Sequence, residues 1–186
     1  MGSVTVIELL SKRQGKMRVW LEEFPDSHYV VSEVLQYQLS ADDLSETQQR
    51  CVAIEIVLHQ GGYNPYGLLG AYFVPVRSDR LTIEVHISSE DGRIAPTTLA
   101  GGMDKIKIGL PQEYAESVLA GAISASSLSR LGAGRLCFDC AAHGEIGSST
   151  NIFHRLAMLV VELLVLGPET ILAGELTEII ESFFRM

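Results

Sequence analysis

The residues most able to do chemistry are Cys137-Phe138-Asp139-Cys140 and His143. Thiolate and imidazole donors of that kind hold a structural zinc when four of them converge tetrahedrally. The spacing argues against it. Two cysteines three residues apart on a strand point to opposite faces, and no second ligand pair follows. Cys140 then reads as a small core residue and Cys137 as a sheet-face residue, and no metal site is assigned. The five histidines, His28, His59, His86, His143 and His154, are dispersed. His59 and His86 fall on the polar sides of two alternating segments and would form a functional pair only if those segments were neighbours; otherwise they are ordinary surface imidazoles.

Nucleophilic and phosphate chemistry find no support. There is no Gly-x-Ser-x-Gly elbow and no phosphate-binding glycine loop. Gly132 and Gly134 precede a strand, whereas a dinucleotide fingerprint follows one. Ser124, Ser126, Ser127 and Ser129 crowd a helix end, where serine serves in caps and turns. No cofactor and no catalytic group are therefore expected. The glycine-rich stretch Gly61–Gly70 carries Tyr63, Asn64, Pro65 and Tyr66, and aromatics on a loop can stack bases or grip a partner. A plain hairpin loop is the alternative.

These residues must be positioned by strands and helices that the hydrophobic pattern announces. Val52, Ile54, Ile56 and Leu58 alternate with Ala53, Glu55, Val57 and His59; Leu81, Ile83, Val85 and Ile87 alternate with Thr82, Glu84, His86 and Ser88. Both read as strands with one buried and one wetter face. Leu136, Phe138, Cys140 and Ala142 form a third set. Weaker strands fall at Val4–Leu9, Met17–Phe24, Tyr29–Leu39 and Leu69–Val76. Gln60–Pro65 and Glu90-Asp91-Gly92 read as turns. Pro111 opens a helix with Glu113 in its first turn and a stripe of Ala115, Val118, Leu119, Ala122 and Ile123. Ser148-Ser149 caps a second helix ending near Gly167. A third runs from Pro168 through Ile171, Leu172, Leu176, Ile180 and Phe184, with Glu169, Glu175, Glu178 and Glu181 on its wet side. The short connection makes the last two helices an antiparallel pair.

Many strands followed by helix, strand, helix, helix is not a doubly wound order. The expectation is α+β: a two-layer sandwich with a mainly antiparallel sheet and helices on one face. A single compact domain is expected, with residues 1–60 as a strand-rich extension of the sheet, 61–166 as its centre and 167–186 as a C-terminal helix.

The totals agree. A chain of 186 residues buries roughly 70% of its unfolded surface. Its formal charge is −9, from 14 basic and 23 acidic residues. The basic residues are scattered; Lys12, Arg13, Lys16 and Arg18, and separately Lys105 and Lys107, are the densest groups. Direct nucleic-acid binding and binding to an anionic membrane are disfavoured. Three cysteines are too few for a disulfide framework, and a reducing, cytoplasmic location is expected. The apolar run Leu156–Leu166 contains Glu162 and is about half the ~20 residues of a membrane helix. Met1–Leu10 does not read as a signal peptide.

The segment Ile106–Val161 resembles part of domain IV of translation elongation factor G, and residues 61–166 are taken as the domain IV-like part of the chain. Leu110-Pro111-Gln112-Glu113-Tyr114, followed by Val118, Gly121 and Ile123, is similar to that domain's helix opening. Leu136–Ala142 takes the place of its last strand. Gly144-Glu145-Ile146-Gly147-Ser148-Ser149, then Phe153, resembles its tip loop and the helix after it. The resemblance implies a ribosomal-protein-like α+β fold with a left-handed βαβ crossover, an exception to the usual hand. It implies a non-catalytic module that contacts the ribosome through its tip. His143, Gly144, Glu145, Ser148, Ser149, Tyr63, Asn64 and Tyr66 become tip-loop binding candidates. The sequence departs from the family in three ways. The family's tip histidine falls near Gly144, one place from His143. Its basic glycine loop corresponds to Gly61–Gly70, which has no Lys or Arg. No GTPase motif is present, so a stand-alone relative is expected. Two alternatives stand beside it: a protein–protein interaction or self-assembly unit, forming a homo-oligomer or binding another protein, and a small-molecule enzyme on the same broad superfamily fold.

Overall fold

The computed structural model describes residues 5–11, 15–42, 48–59, 61–89, 92–167 and 173–184. Val4, Lys12, Arg13, Gln60, Glu90, Asp91, Pro168, Glu169, Ile171 and Leu172, used in the reading above, lie outside them.

The described chain is α+β. Its strands are β1 (Thr5–Ser11), β2 (Gly15–Leu21), β3 (Val31–Ser40), β4 (Arg50–Leu58), β5 (Tyr66–Pro75), β6 (Arg80–Ser88), β7 (Ile106–Ile108) and β8 (Gly134–Gly144). The helices are α1 (Gln112–Ser124), α2 (Thr150–Leu166) and α3 (Ala173–Phe184), with a 3-10 turn at Leu128–Leu131. One eight-stranded sheet runs in the order β1-β2-β4-β5-β8-β6-β3, and β7 pairs with the far end of β8. Every pairing is antiparallel except β6 with β8. That parallel pair needs a crossover, and β7, α1 and the 3-10 turn supply it.

The period-two residues place the main core. Val52, Ile54, Ile56, Leu81, Ile83, Val85, Leu136 and Phe138 form one apolar cluster with Tyr114, Val118, Phe153, Leu156, Val160, Leu176, Ile180 and Phe184 from the helices. α2 is buried on most of its circumference, as nearly continuous apolar sequence requires. Ser149 caps it by accepting from the Ile152 N–H at 3.4 Å, and Gly167 ends it at φ 73°. Helices α1 and α2 touch at Gly121, where a Cβ would run into the His154 carbonyl and come within 3.0 Å of Ala157 Cβ. Arg155 of α2 donates to the Phe183 carbonyl of α3 at 3.2 Å, which sets α3 antiparallel to α2.

Four expectations are corrected. The opposite side of β4 is not wetter: Ala53, Glu55 and Val57 are all buried. A second cluster of Trp20, Ala53, Val57, Tyr66, Leu68, Ile106, Ile108, Cys140 and Ala142 covers that face. Gly61–Gly70 is not one loop, because β5 begins at Tyr66. Gly67 and Gly70 are there for close packing: a Cβ on Gly67 would lie 2.6 Å from Leu156 Cδ1, and one on Gly70 2.8 Å from Ala53 Cβ. α1 starts at Gln112, with Pro111 as its N-cap. The fourth concerns the cysteines. The β5–β8 ladder slips by one residue, so Gly70 faces Cys140 while Ala71 faces Phe138. The bulge at Asp139 reverses the alternation. Cys137 and Cys140 therefore share the face opposite Phe138.

Candidate functional site

Three segments that are distant in sequence meet at one end of the sheet: the turn before β5, the segment before β7, and the turn from β8 into α2. The hub is Asp104. Its carboxylate accepts from the N–H groups of Lys105 (2.8 Å), Ile146 (3.2 Å) and Gly147 (2.7 Å). A carboxylate accepting several backbone N–H bonds makes a strong clamp. The Gly147 carbonyl in turn accepts from Tyr66 N at 2.9 Å and Tyr63 Oη at 3.2 Å. Ser148 Oγ donates to the Tyr66 carbonyl and accepts from Gly144 N, both at 2.8 Å. Asn64 Oδ1 lies 3.2 Å from His59 Nδ1.

The tip candidates thus divide. Tyr63, Asn64, Gly144, Glu145, Ser148 and Ser149 belong to this end of the sheet, but the two serines are spent on local bonds, Ser149 as the α2 cap. Two candidates sit inside the protein. Tyr66 is fully buried. His143 is buried, donates from Nδ1 to the Gly109 carbonyl at 3.1 Å and lies 5.9 Å from the Tyr114 ring. Burial pushes its imidazole below the usual range, so it is held neutral. Glu145 is exposed. The hydrogen bond from Lys107, seconded by Lys105, holds its carboxyl below the usual range; the ion-pair distances are 3.2 and 3.4 Å.

Beside the exposed Glu145–Lys105 pair, this end of the sheet leaves three large apolar side chains open to solvent. Ile146 is 73% exposed, Met103 48% and Tyr63 42%. They ring a cavity of about 240 Å³, together with Val57, Asn64 and Asp104. Sequence reasoning missed Asp104 and Met103, since neither stands in a recognisable pattern.

The segment carrying Asp104 is anchored from beneath by Glu55, which is 1% exposed. Its Oε1 accepts from Leu99 N at 2.7 Å and Tyr66 Oη at 3.1 Å, while Arg18 Nη1 lies 3.5 Å from Oε2. Burial raises the Glu55 carboxyl above the usual range, against the Leu99 N–H, Arg18 and Tyr66. Burial and the nearby Glu55 charge push the Tyr66 hydroxyl well up. A cavity of about 250 Å³ adjoins this network, lined in part by Arg18, Trp20, Ser27, Thr97 and Thr98. A carboxylate alone in an apolar alternation was the signal for it.

His59 and His86 are not neighbours, because β5 and β8 separate β4 from β6. His86 instead meets Cys137, with Nε2 to Sγ at 3.3 Å. Glu84 faces Cys137 across the parallel ladder. Donor atoms of Glu84, His86 and Cys137 all lie within 4.8 Å of one another. Cys51, Cys137 and Cys140 are free. Burial pushes the Cys137 thiol up to about 11 and the Cys140 thiol up to about 12.

Among the described residues, no helix is long and apolar enough to cross a membrane. Compared with known proteins, the chain matches no family model, no curated protein and no solved structure.

Proposed function

We propose that this protein is a non-catalytic binding module of the elongation factor G domain IV kind, and that its tip docks on a basic protein surface of the ribosome in the cytoplasm. In this reading the fold is a two-layer sandwich with its helices on one face and a left-handed β6–α1–β8 crossover. All three helices contribute to the same apolar cluster, which supports the single helical layer. The observation that carries the functional reading is the exposed trio Tyr63, Met103 and Ile146 on a clamp of backbone hydrogen bonds. Rigid, exposed aromatic and aliphatic groups around a hollow are what protein-binding hot spots require. A protein surface is favoured over RNA because both tip lysines are already paired with Glu145 and the chain is strongly acidic. Ribosomal proteins supply basic surface that complements such a module.

The test is cosedimentation of the purified protein with ribosomes over a salt series. The wild type should pellet with ribosomes, and Ile146→Asp should lower the bound fraction at least about tenfold with no change in thermal stability. Equal binding by the two proteins, or no binding by the wild type, would refute it.

A second reading rests on β3. This ten-residue strand is an edge of the sheet and is exposed over most of its length, with Val31, Val34 and Tyr37 open to solvent. A long apolar edge is a template for pairing with another strand, so edge-to-edge self-association is the alternative route to a partner.

A further inference from the structure

We propose that Glu84, His86 and Cys137 form a binding site for a thiophilic divalent cation, zinc by preference, on the sheet face opposite the helices. The geometry is the first argument. Zinc holds sulfur at about 2.3 Å and nitrogen at about 2.0–2.1 Å, so two such ligands at a tetrahedral angle stand roughly 3.5 Å apart. Cys137 Sγ and His86 Nε2 are 3.3 Å apart. A carboxylate oxygen of Glu84 completes a set of three within 4.8 Å.

The chain path is the second argument. Glu84 and Cys137 are paired across the one parallel ladder, and His86 follows Glu84 by two residues on the same face. The three side chains are therefore fixed by two paired strands rather than by a loop, and Tyr29 Oη, donating to the His86 carbonyl at 2.9 Å, holds that strand from outside. The third argument is Asp139, the residue extruded by the bulge. Its Oδ1 is buried without a hydrogen-bond partner, a costly condition for a carboxylate. The same carboxylate interacts electrostatically with His86, His28 and Cys137. A cation held by the trio would offset that charge, with water in the fourth ligand position.

The donor set selects the metal. A thiolate and an imidazole favour zinc over magnesium or calcium, which take oxygen ligands. Binding converts the Cys137 thiol to a metal thiolate and releases its proton to solvent. Two groups compete for these ligands: the Tyr72 hydroxyl, which hydrogen-bonds the Cys137 thiol, and Arg135, whose Nε lies 3.8 Å from Glu84 Oε2. That contact is long and half-exposed, and Arg135 keeps a second partner in Tyr72 Oη at 2.8 Å.

The experiment titrates the chelator-treated protein with Zn²⁺ against a chromophoric competitor, and with Co²⁺ by absorption. One equivalent of zinc should bind, and the cobalt form should show a charge-transfer band of one thiolate. Cys137→Ser should abolish that band, His86→Ala should weaken zinc binding at least about 100-fold, and Cys51→Ser should change neither. If the variants fail to fold, the wild-type cobalt spectrum decides alone. Absence of stoichiometric binding, a cobalt spectrum without a thiolate band, or a band that survives Cys137→Ser would overturn the proposal.

Discussion

Replacing Glu55 with alanine should destabilise the protein by about 2–6 kcal/mol, because it orphans one buried and one part-buried donor at about 1–3 kcal/mol each. Those donors are the Leu99 N–H and the Tyr66 hydroxyl. A cavity of about 250 Å³ adjoins them, so water can recover part of the loss and the upper end of the range is a ceiling. Glu55→Gln is the control. Its amide oxygen still accepts from both donors, and it cannot ionise. Burial raises the folded carboxyl above its ordinary 4.5, so the folded state binds more protons than the unfolded one. The stability that the wild type derives from the neutral form is complete below pH 4.5 and falls as pH rises through the folded value. The cost of Glu55→Gln should therefore be largest near about pH 4 and shrink toward about pH 8. Urea unfolding at both pH values measures this; at a slope of about 2–3 kcal/mol/M, Glu55→Ala should lower the midpoint by about 0.7–3 M. An alanine variant within about 0.5 kcal/mol of wild type, or a glutamine cost that does not change with pH, would refute the buried network.

Other perturbations have equally definite outcomes. Gly121→Ala gains helix propensity of about 1 kcal/mol but forces α1 away from the His154 carbonyl, so thermal melting should show a net loss of about 1–2 kcal/mol. Arg50→Ala removes donors to the Leu164 and Val165 carbonyls at 3.0 and 3.3 Å; denaturant unfolding should register a loss of about 1–2 kcal/mol. Val34→Lys places a charge on the β3 edge and should abolish any concentration-dependent self-association seen by light scattering, whereas persistence of the oligomer would remove β3 as its interface.

Much of this architecture is legible in the residues. Strands β4 and β6 follow from their alternation, and α2 from its serine cap and Gly167. What escaped does so for physical reasons. β7 is three residues long, too short for a period. Tyr66 stands among glycines, and glycine serves close strand–helix packing as readily as turns, so composition alone put the loop boundary in the wrong place. The Asp139 bulge changes which face Cys140 occupies, and no local propensity marks a bulge whose cause is the mismatch between two strands. Hence the parity argument that put Cys137 and Cys140 on opposite faces is cancelled by one extra residue, and Cys137 meets Glu84 and His86 from another strand. The tip was legible as a place, through the Gly144–Ser149 turn, but not as a surface, because Asp104 and Met103 reach it through the long connection after β6.

The most direct test of the tip as the docking surface is site-specific photocrosslinking with purified ribosomes. A photoreactive phenylalanine analogue replacing Ile146 should crosslink to a ribosomal protein, and the same group replacing Ile123, exposed on α1, should not. Crosslinks to ribosomal RNA from position 146, or equal protein crosslinking from both positions, would contradict the account.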